Sequence, residues 1–280
     1  MNLILQGRAE LATIEILAAP ARPARIEAIH PHAWRCVDVD DSAQVRLQID
    51  TASLEAGVDA TFIEAGLRLA DFSLLAMDMD STVITIECID EIADMQGLKP
   101  QVSAITEAAM RGELDFGASL ARRVALLEGL DAGALQKVYD ERLRLSPGAE
   151  NLIAAARAAG VKTLLVSGGF TFFTDRVKQR LGLDYSHANV LEIANGRLTG
   201  KVVGSIVDAE EKKRTVERVC AELGVPAGRA IVMGDGANDL KMMSVAGLSV
   251  AYRAKPVVRA QADAALNFSG LDAILALLAQ

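Results

Sequence analysis

Two aspartates two residues apart, Asp78 and Asp80, close a short apolar run, Leu74-Leu75-Ala76-Met77, and Ser81 and Thr82 follow them. The run reads as a buried strand over about 73–77. Two acids at its end cost desolvation unless a cation or hydrogen bonds compensate. Their spacing matches the strand period, which puts both carboxylates on one side. Two further strand ends carry polar chemistry. Residues 161–166 run into Ser167-Gly168-Gly169 and then a helix, a turn whose amides and helix N-terminus suit an anion. Residues 229–233 run into Gly234-Asp235-Gly236-Ala237-Asn238-Asp239. A helix over about 209–223 carries Lys212 and Lys213 in its first turn, where the helix dipole disfavours cations. At least one of the two is therefore expected to face an anion or a carboxylate.

Acids clustered with oxygen donors, and no His or Cys among them, suit a hard cation such as Mg2+. The Ser-Gly turn and a lysine suit phosphate oxygens. With a metal holding its charge, Asp78 can attack phosphorus and form an aspartyl-phosphate. Asp80 can protonate the leaving alcohol and then activate water. The constellation predicts phosphomonoester hydrolysis. No Walker phosphate loop is present, so a nucleotide is not required.

Strands alternating with helices imply an α/β fold, a doubly wound parallel sheet whose ligands sit beyond the carboxyl ends of the strands. That rule brings the three polar strand ends together. Residues 88–145 contain no strand pattern; helices are expected at about 89–96, 100–111, 116–128 and 132–143, an insertion after the first strand. Within it Phe116, Arg122 and Arg123 stand out. Just before it, Glu87 sits among apolar residues, where an acid needs a partner or a task. Asn195-Gly196 predicts a hairpin between 190–194 and 197–203. Residues 1–70 read as a small α+β module. Its expected elements are a helix over 9–18, a hairpin of 34–39 with 44–49 around Asp40-Asp41-Ser42, and a helix over 54–70. His30 and His32 flank a proline, with no further His or Cys nearby to complete a metal site.

The chain has 280 residues, 51% of them hydrophobic and 24% charged, which is globular composition. A formal net charge of −8 without a basic face argues against nucleic acid as a partner. The first residues lack the order of a signal peptide, and no apolar run reaches membrane-spanning length. Cys36, Cys88 and Cys220 are odd in number and scattered, so neither a disulfide framework nor a zinc spacing is visible. The expectation is a cytoplasmic protein without membrane partners.

Four segments resemble the motifs of the haloacid-dehalogenase-like hydrolases: Asp78-Met79-Asp80-Ser81-Thr82, Ser167-Gly168-Gly169, the Lys212 region and Gly234-Asp235-Gly236-Ala237-Asn238-Asp239. Order and spacing agree over about 72–275. Within that superfamily the chain resembles the branch that hydrolyses phosphoserine. The marks are the Asp-Met-Asp-Ser-Thr run, Glu87-Cys88-Ile89-Asp90-Glu91, the Gly-Asp-Gly-Ala-Asn-Asp run and the helical insertion. The resemblance implies a Rossmann-like core over 71–280, an inserted α-helical cap at about 88–145, and a small, ACT-like α+β module over 1–70. It implies Asp78 as nucleophile and Mg2+ ligand. Asp80 would be the general acid/base and bind Mg2+ through its backbone carbonyl; Asp235 would complete the protein ligands, with Asp239 in support. Ser167 and Gly168 would hold the phosphate, with Lys212 beside them and Asn238 nearby. Glu87 would meet the substrate ammonium and Arg123 its carboxylate, with Met110 and Phe116 closing the pocket. Lys213 adjoins Lys212, and the spacing to Asp235 favours Lys212; Arg122 is open as a stand-in for Arg123. The implied reaction is O-phospho-L-serine to L-serine and phosphate, the last step of serine biosynthesis. Another small phosphomonoester, such as phosphohomoserine or a sugar phosphate, is the second reading; a neutral sugar would not need Glu87 and Arg123. A receiver-like module that signals through its phospho-aspartate is the third, and the insertion and the second acid count against it.

Overall fold

The computed structural model describes residues 1–110 and 113–278, apart from the side chain of Met110. Two sheets organise them. The first is antiparallel, built from β1 (Asn2–Gln6), β2 (Arg25–His30), β3 (Ala33–Val37) and β4 (Asp59–Ile63) in the order β2-β3-β1-β4. Helices α1 (Leu11–Ala18) and α2 (Ala43–Ala56) cover one face, packing Ile14, Leu17 and Ile49 on Leu3, Leu5, Trp34, Cys36 and Phe62. The hairpin expected for 34–39 with 44–49 does not form. Its first half pairs instead with β2 across Pro31-His32, and 44–49 lies inside α2. The weak alternation of 44–49 yields to the helix formers around it and to burial of Ile49, and Gly57 at φ 69° ends the helix. The helix expected over 54–70 is likewise replaced. Thr61, Phe62 and Ile63 are strand formers, and β1 supplies a pairing partner for them. His30 and His32 are exposed at and beside the hairpin tip.

The second sheet is the doubly wound α/β core. Strand β5 (Leu74–Met77) is followed by four helices, α3 (Cys88–Asp94), α4 (Lys99–Met110), α5 (Phe116–Ala125) and α6 (Gly133–Glu141). Then come α7 (Ala149–Ala158), β6 (Lys162–Phe170), α8 (Thr171–Leu181), β7 (Tyr185–Ala194), β8 (Arg197–Val203) and α9 (Ala209–Glu222). The chain finishes with β9 (Ala230–Gly234), α10 (Leu240–Met243), β10 (Leu248–Tyr252), α11 (Pro256–Arg259), β11 (Ala264–Leu266) and α12 (Ile274–Leu277). The strand order is β11-β10-β9-β5-β6-β7-β8. All neighbours are parallel except β7 and β8, which form the hairpin turning at Asn195 and Gly196, φ 51° and 74°.

Alternate residues of β5 enter opposite cores, the arrangement expected of a strand covered on both faces. Leu75 and Met77 join Leu165, Ile231 and Met233 on one side. Leu74 and Ala76 join Leu164, Val166, Ala230 and Val232 on the other. Truncating Leu75 would leave a cavity costing about 2–5 kcal/mol. Strand β4 lies beside β11. At their meeting the buried Asp59 carboxylate accepts the backbone N–H groups of Asn267, Phe268 and Ser269, the shortest at 2.6 Å. The three cysteines are buried and free. No helix among the described residues is long and apolar enough to cross a membrane.

Candidate active site

Strand register gathers the polar ends. Met77 is level with Met233 on β9 and Leu165 on β6, so Asp78, Asp235 and Ser167 emerge together at the carboxyl edge. After Asp78 the chain makes a tight turn. Met79 points into the core, Asp80 stays extended at ψ 134°, and Ser81 takes φ 57°. The bond from Ile84 N to Met79 O, 3.0 Å, closes the turn.

Asp78 is 4% exposed. One of its oxygens accepts Lys212 Nζ at 2.6 Å, and the same ammonium donates to Asp239 Oδ1 at 2.8 Å. Lys212 is itself 1% exposed, whereas Lys213 lies half-buried on the helix surface beside Glu217. Asp208 caps α9 by accepting Glu211 N at 2.9 Å, which fixes the turn that sends Lys212 inward. The second oxygen of Asp239 accepts the N–H groups of Asp235 and Gly236, at 3.2 and 3.0 Å. Asp235 Oδ1 accepts Thr82 Oγ1 at 3.2 Å.

Asp78, Asp235 and Asp239 each offer one carboxylate oxygen, and these atoms lie within 4.8 Å of one another. Three carboxylates against one ammonium leave two negative charges in a nearly buried space. Desolvation pushes Asp78 well above the usual carboxylate range; Lys212 opposes this while Asp239 and Asp235 add to it. Asp235 is pushed up to about 7 for the same leading reason, with Asp239 contributing. Burial pulls the Lys212 ammonium down, but its two carboxylates outweigh burial and the net shift is upward. An all-oxygen set with excess negative charge fits a divalent cation. Because Asp239 already serves Lys212 and two backbone amides, Asp78 and Asp235 keep the more available oxygens.

The Asp80 side chain lies apart from that triad. One oxygen accepts Cys88 N at 3.2 Å, and the other approaches Gly169 so closely that a Cβ there would sit 2.6 Å from it. Desolvation and then the Glu87 charge raise Asp80 to about 7, against the Cys88 amide. Glu87 has exposed surface, in contrast to its apolar sequence surroundings, and accepts Ser81 Oγ at 2.7 Å. Arg123 is half-buried and Arg122 exposed. Desolvation lowers the Arg123 guanidinium, opposed by the charges of Asp90, Glu87 and Asp80, so Arg123 belongs to this acidic cleft. Phe116, first residue of α5, covers Gly168: a Cβ on Gly168 would meet its Cζ at 2.8 Å. Ser167 is buried and its Oγ accepts Gly169 N at 2.9 Å. Asn238 is half-buried in the 3-10 turn Ala237–Asp239, its Oδ1 turned back over Gly236. The Met110 side chain lies outside the described residues.

Three participants escape the sequence reading: Thr82 on Asp235, Ser81 on Glu87, and Asn189, which bonds to Gly168 O. The first two adjoin Asp80 and offered a signal as hydroxyls. Asn189 offered only a polar residue in a strand.

The family model for haloacid dehalogenase-like hydrolases matches residues 72–247. The chain belongs to the haloacid dehalogenase-like hydrolases. It is 57% identical over 217 residues to a phosphoserine phosphatase of a Polaromonas species, covering 76% of this chain and 92% of that relative. A substrate-bound phosphoserine phosphatase structure superposes with a TM-score of 0.69 at 37% identity, covering 73% of this chain and 97% of that one. A family hydrolase from Salmonella enterica serovar Typhi superposes with a TM-score of 0.90 at 33% identity, covering 99% and 98%.

Proposed function

We propose that the protein is a Mg2+-dependent, cytoplasmic phosphatase that converts O-phospho-L-serine to L-serine and phosphate, the final step of serine biosynthesis. The observation that carries this reading is the cleft itself. Asp78 is held by Lys212, Asp80 adjoins the Ser167–Gly169 turn, and Glu87 and Arg123 provide one anionic and one cationic partner for an amino acid. The phosphoserine phosphatases among its relatives support the same substrate.

The Asp78 carboxylate attacks phosphorus from the oxygen not committed to Lys212. The serine oxygen leaves with the proton of Asp80, whose raised pKa keeps that proton available near neutral pH. The phosphoryl group is then held on Asp78 as an acyl phosphate. Asp80, now ionised, takes a proton from a water whose oxygen attacks phosphorus; the bond from phosphorus to the Asp78 oxygen breaks, freeing inorganic phosphate and restoring the Asp78 carboxylate. Ser167, the Gly168 amide and Lys212 hold the phosphoryl oxygens throughout. Mg2+, held by Asp78, Asp235 and the Asp80 carbonyl and supported by Asp239, would offset the mutual repulsion of carboxylate and phosphate. Glu87 binds the ammonium and Arg123 the carboxylate, while Phe116 closes the cleft and Asn238 lies at its phosphate side. Residues 1–70 form a separate α+β module docked on a catalytic unit of 71–280, whose cap is the 88–145 insertion.

Phosphate release from a panel of phosphomonoesters, with and without Mg2+ and alongside Asp78→Asn, tests the proposal. Preference for phosphoserine, dependence on Mg2+ and an inactive variant are expected. An Asp78→Asn variant near wild-type activity would refute the nucleophile.

A further inference from the structure

Asn189 has no part in the mechanism above, yet it is 1% exposed and both polar atoms of its side chain are bonded. Its Nδ2 donates to Gly168 O at 2.8 Å, and its Oδ1 accepts Val207 N at 2.8 Å. These partners determine the amide's orientation, because the reverse would set oxygen against oxygen and N–H against N–H. Gly168 O and Gly169 N–H belong to one peptide unit. Its N–H end donates to Ser167 Oγ at 2.9 Å, so the unit is gripped at both ends. A hydroxyl that accepts one bond still has a proton to donate. The Gly169 amide occupies one side of Ser167 Oγ, which leaves that proton for a bond in another direction.

The strand pairing explains why such a grip is needed. Val166 pairs with His187 and Phe170 with Asn189, so Ser167, Gly168 and Gly169 on β6 stand opposite the single residue Ala188 on β7. The bulge frees these three residues from the ladder and leaves the Gly168 carbonyl in need of another donor. Asn189, level with the end of the bulge, supplies it. The same side chain reaches Val207, one residue before the cap of the helix that carries Lys212.

We propose that Asn189 is a positioning residue for phosphoryl binding. It orients the 168–169 peptide so that Ser167 accepts from Gly169 and directs its own proton to a phosphoryl oxygen. Through Val207 it holds that turn in register with Lys212. The bonds Asn189 to Gly168, Gly169 to Ser167 and Ser167 to phosphate run in one direction, so each polarises the next. This inference rests on the phosphatase reading of the same cleft.

Asn189→Asp tests it, because a carboxylate accepts from Val207 but gives no proton to Gly168 O. The apparent inhibition constant for inorganic phosphate and the KM for phosphoserine are expected to rise about tenfold, the loss of one hydrogen-bond contribution. The factor should be the same for p-nitrophenyl phosphate, since only the phosphoryl subsite is affected. In a Ser167→Ala background the same change should cost less than about twofold, because coupled sites are not additive. Unchanged phosphate inhibition in the folded variant, or full additivity with Ser167→Ala, overturns the proposal. If the buried charge prevents folding, Asn189→Ala carries the same cycle. A wild-type chain that releases phosphate from no phosphomonoester sinks the phosphatase reading together with this proposal. An active wild type with an indifferent Asn189 sinks this proposal alone.

Discussion

Lys212 Nζ sits 2.6 Å from Asp78 Oδ1, and both side chains are almost completely buried. A buried pair of this kind tolerates loss of one partner poorly, because the remaining charge stays desolvated. Lys212→Met is expected to destabilise the chain by about 3–5 kcal/mol in metal-free buffer. Added Mg2+ should recover part of that loss by neutralising Asp78 and Asp239. Chemical denaturation with and without Mg2+ measures it; a variant as stable as wild type in both buffers contradicts the charge accounting.

Asp80→Asn separates the two steps assigned to Asp80. Losing a general acid and base lowers turnover by about 10²–10⁴-fold. Both formation and breakdown of the phospho-enzyme slow, so acid-quenched protein should carry phosphate on Asp78 for longer than wild type does. Normal turnover in Asp80→Asn would remove it from the reaction.

Arg123 and Arg122 differ in burial, and that difference should appear in kinetics. Arg123→Ala is expected to raise KM for phosphoserine about 10–100-fold, the range for a bond to a charged group. It should change KM for p-nitrophenyl phosphate far less. Arg122→Ala should resemble wild type on both. Equal effects of Arg123→Ala on the two substrates would disprove the carboxylate contact.

The carboxylate cluster is expected to make stability as well as activity sensitive to metal. Chelation should abolish phosphate release, and Mg2+ should restore it. At a Mg2+ concentration about 100-fold above its Kd, the folded state should gain about 2.7 kcal/mol. A melting temperature indifferent to Mg2+ in wild type, but shifted in Asp235→Asn, would reverse the ligand assignment.

The central strands β5, β6 and β9 were legible because each is a buried apolar run that stops at glycine, serine or aspartate, so that it announces both its burial and its chemistry. The first sheet was less legible for physical reasons. β1 is buried on both faces, so Asn2 and Gln6 break its apolar pattern without being exposed. Residues 44–49 alternate by coincidence within a helix. At the site, the acids Asp78, Asp80 and Asp235 stood out by type and spacing, and the spacing to Asp235 favoured Lys212 without deciding it. Asn189 was not, since its role exists only where residues 168 and 207 converge. Lys212 versus Lys213, and Arg122 versus Arg123, needed the helix rotation that only packing determines.

Asp59 accepts three backbone amides from 267–269, and Asp59→Ala would leave them without that partner. A loss of at least about 2 kcal/mol is expected from bonds to a buried charge. It should lower the urea midpoint while kcat/KM of the folded enzyme stays within about twofold. A midpoint equal to wild type would show that the carboxylate is dispensable there.

The neighbouring strands give that clasp a second consequence. The catalytic sheet ends at β11, a strand of three residues whose outer side has no hydrogen-bonded strand among the described residues. An open strand side is a template on which another molecule can add itself. Strand β4 stands alongside it, anchored by Asp59. The first sheet therefore covers the very side of the catalytic sheet on which a further strand would otherwise add.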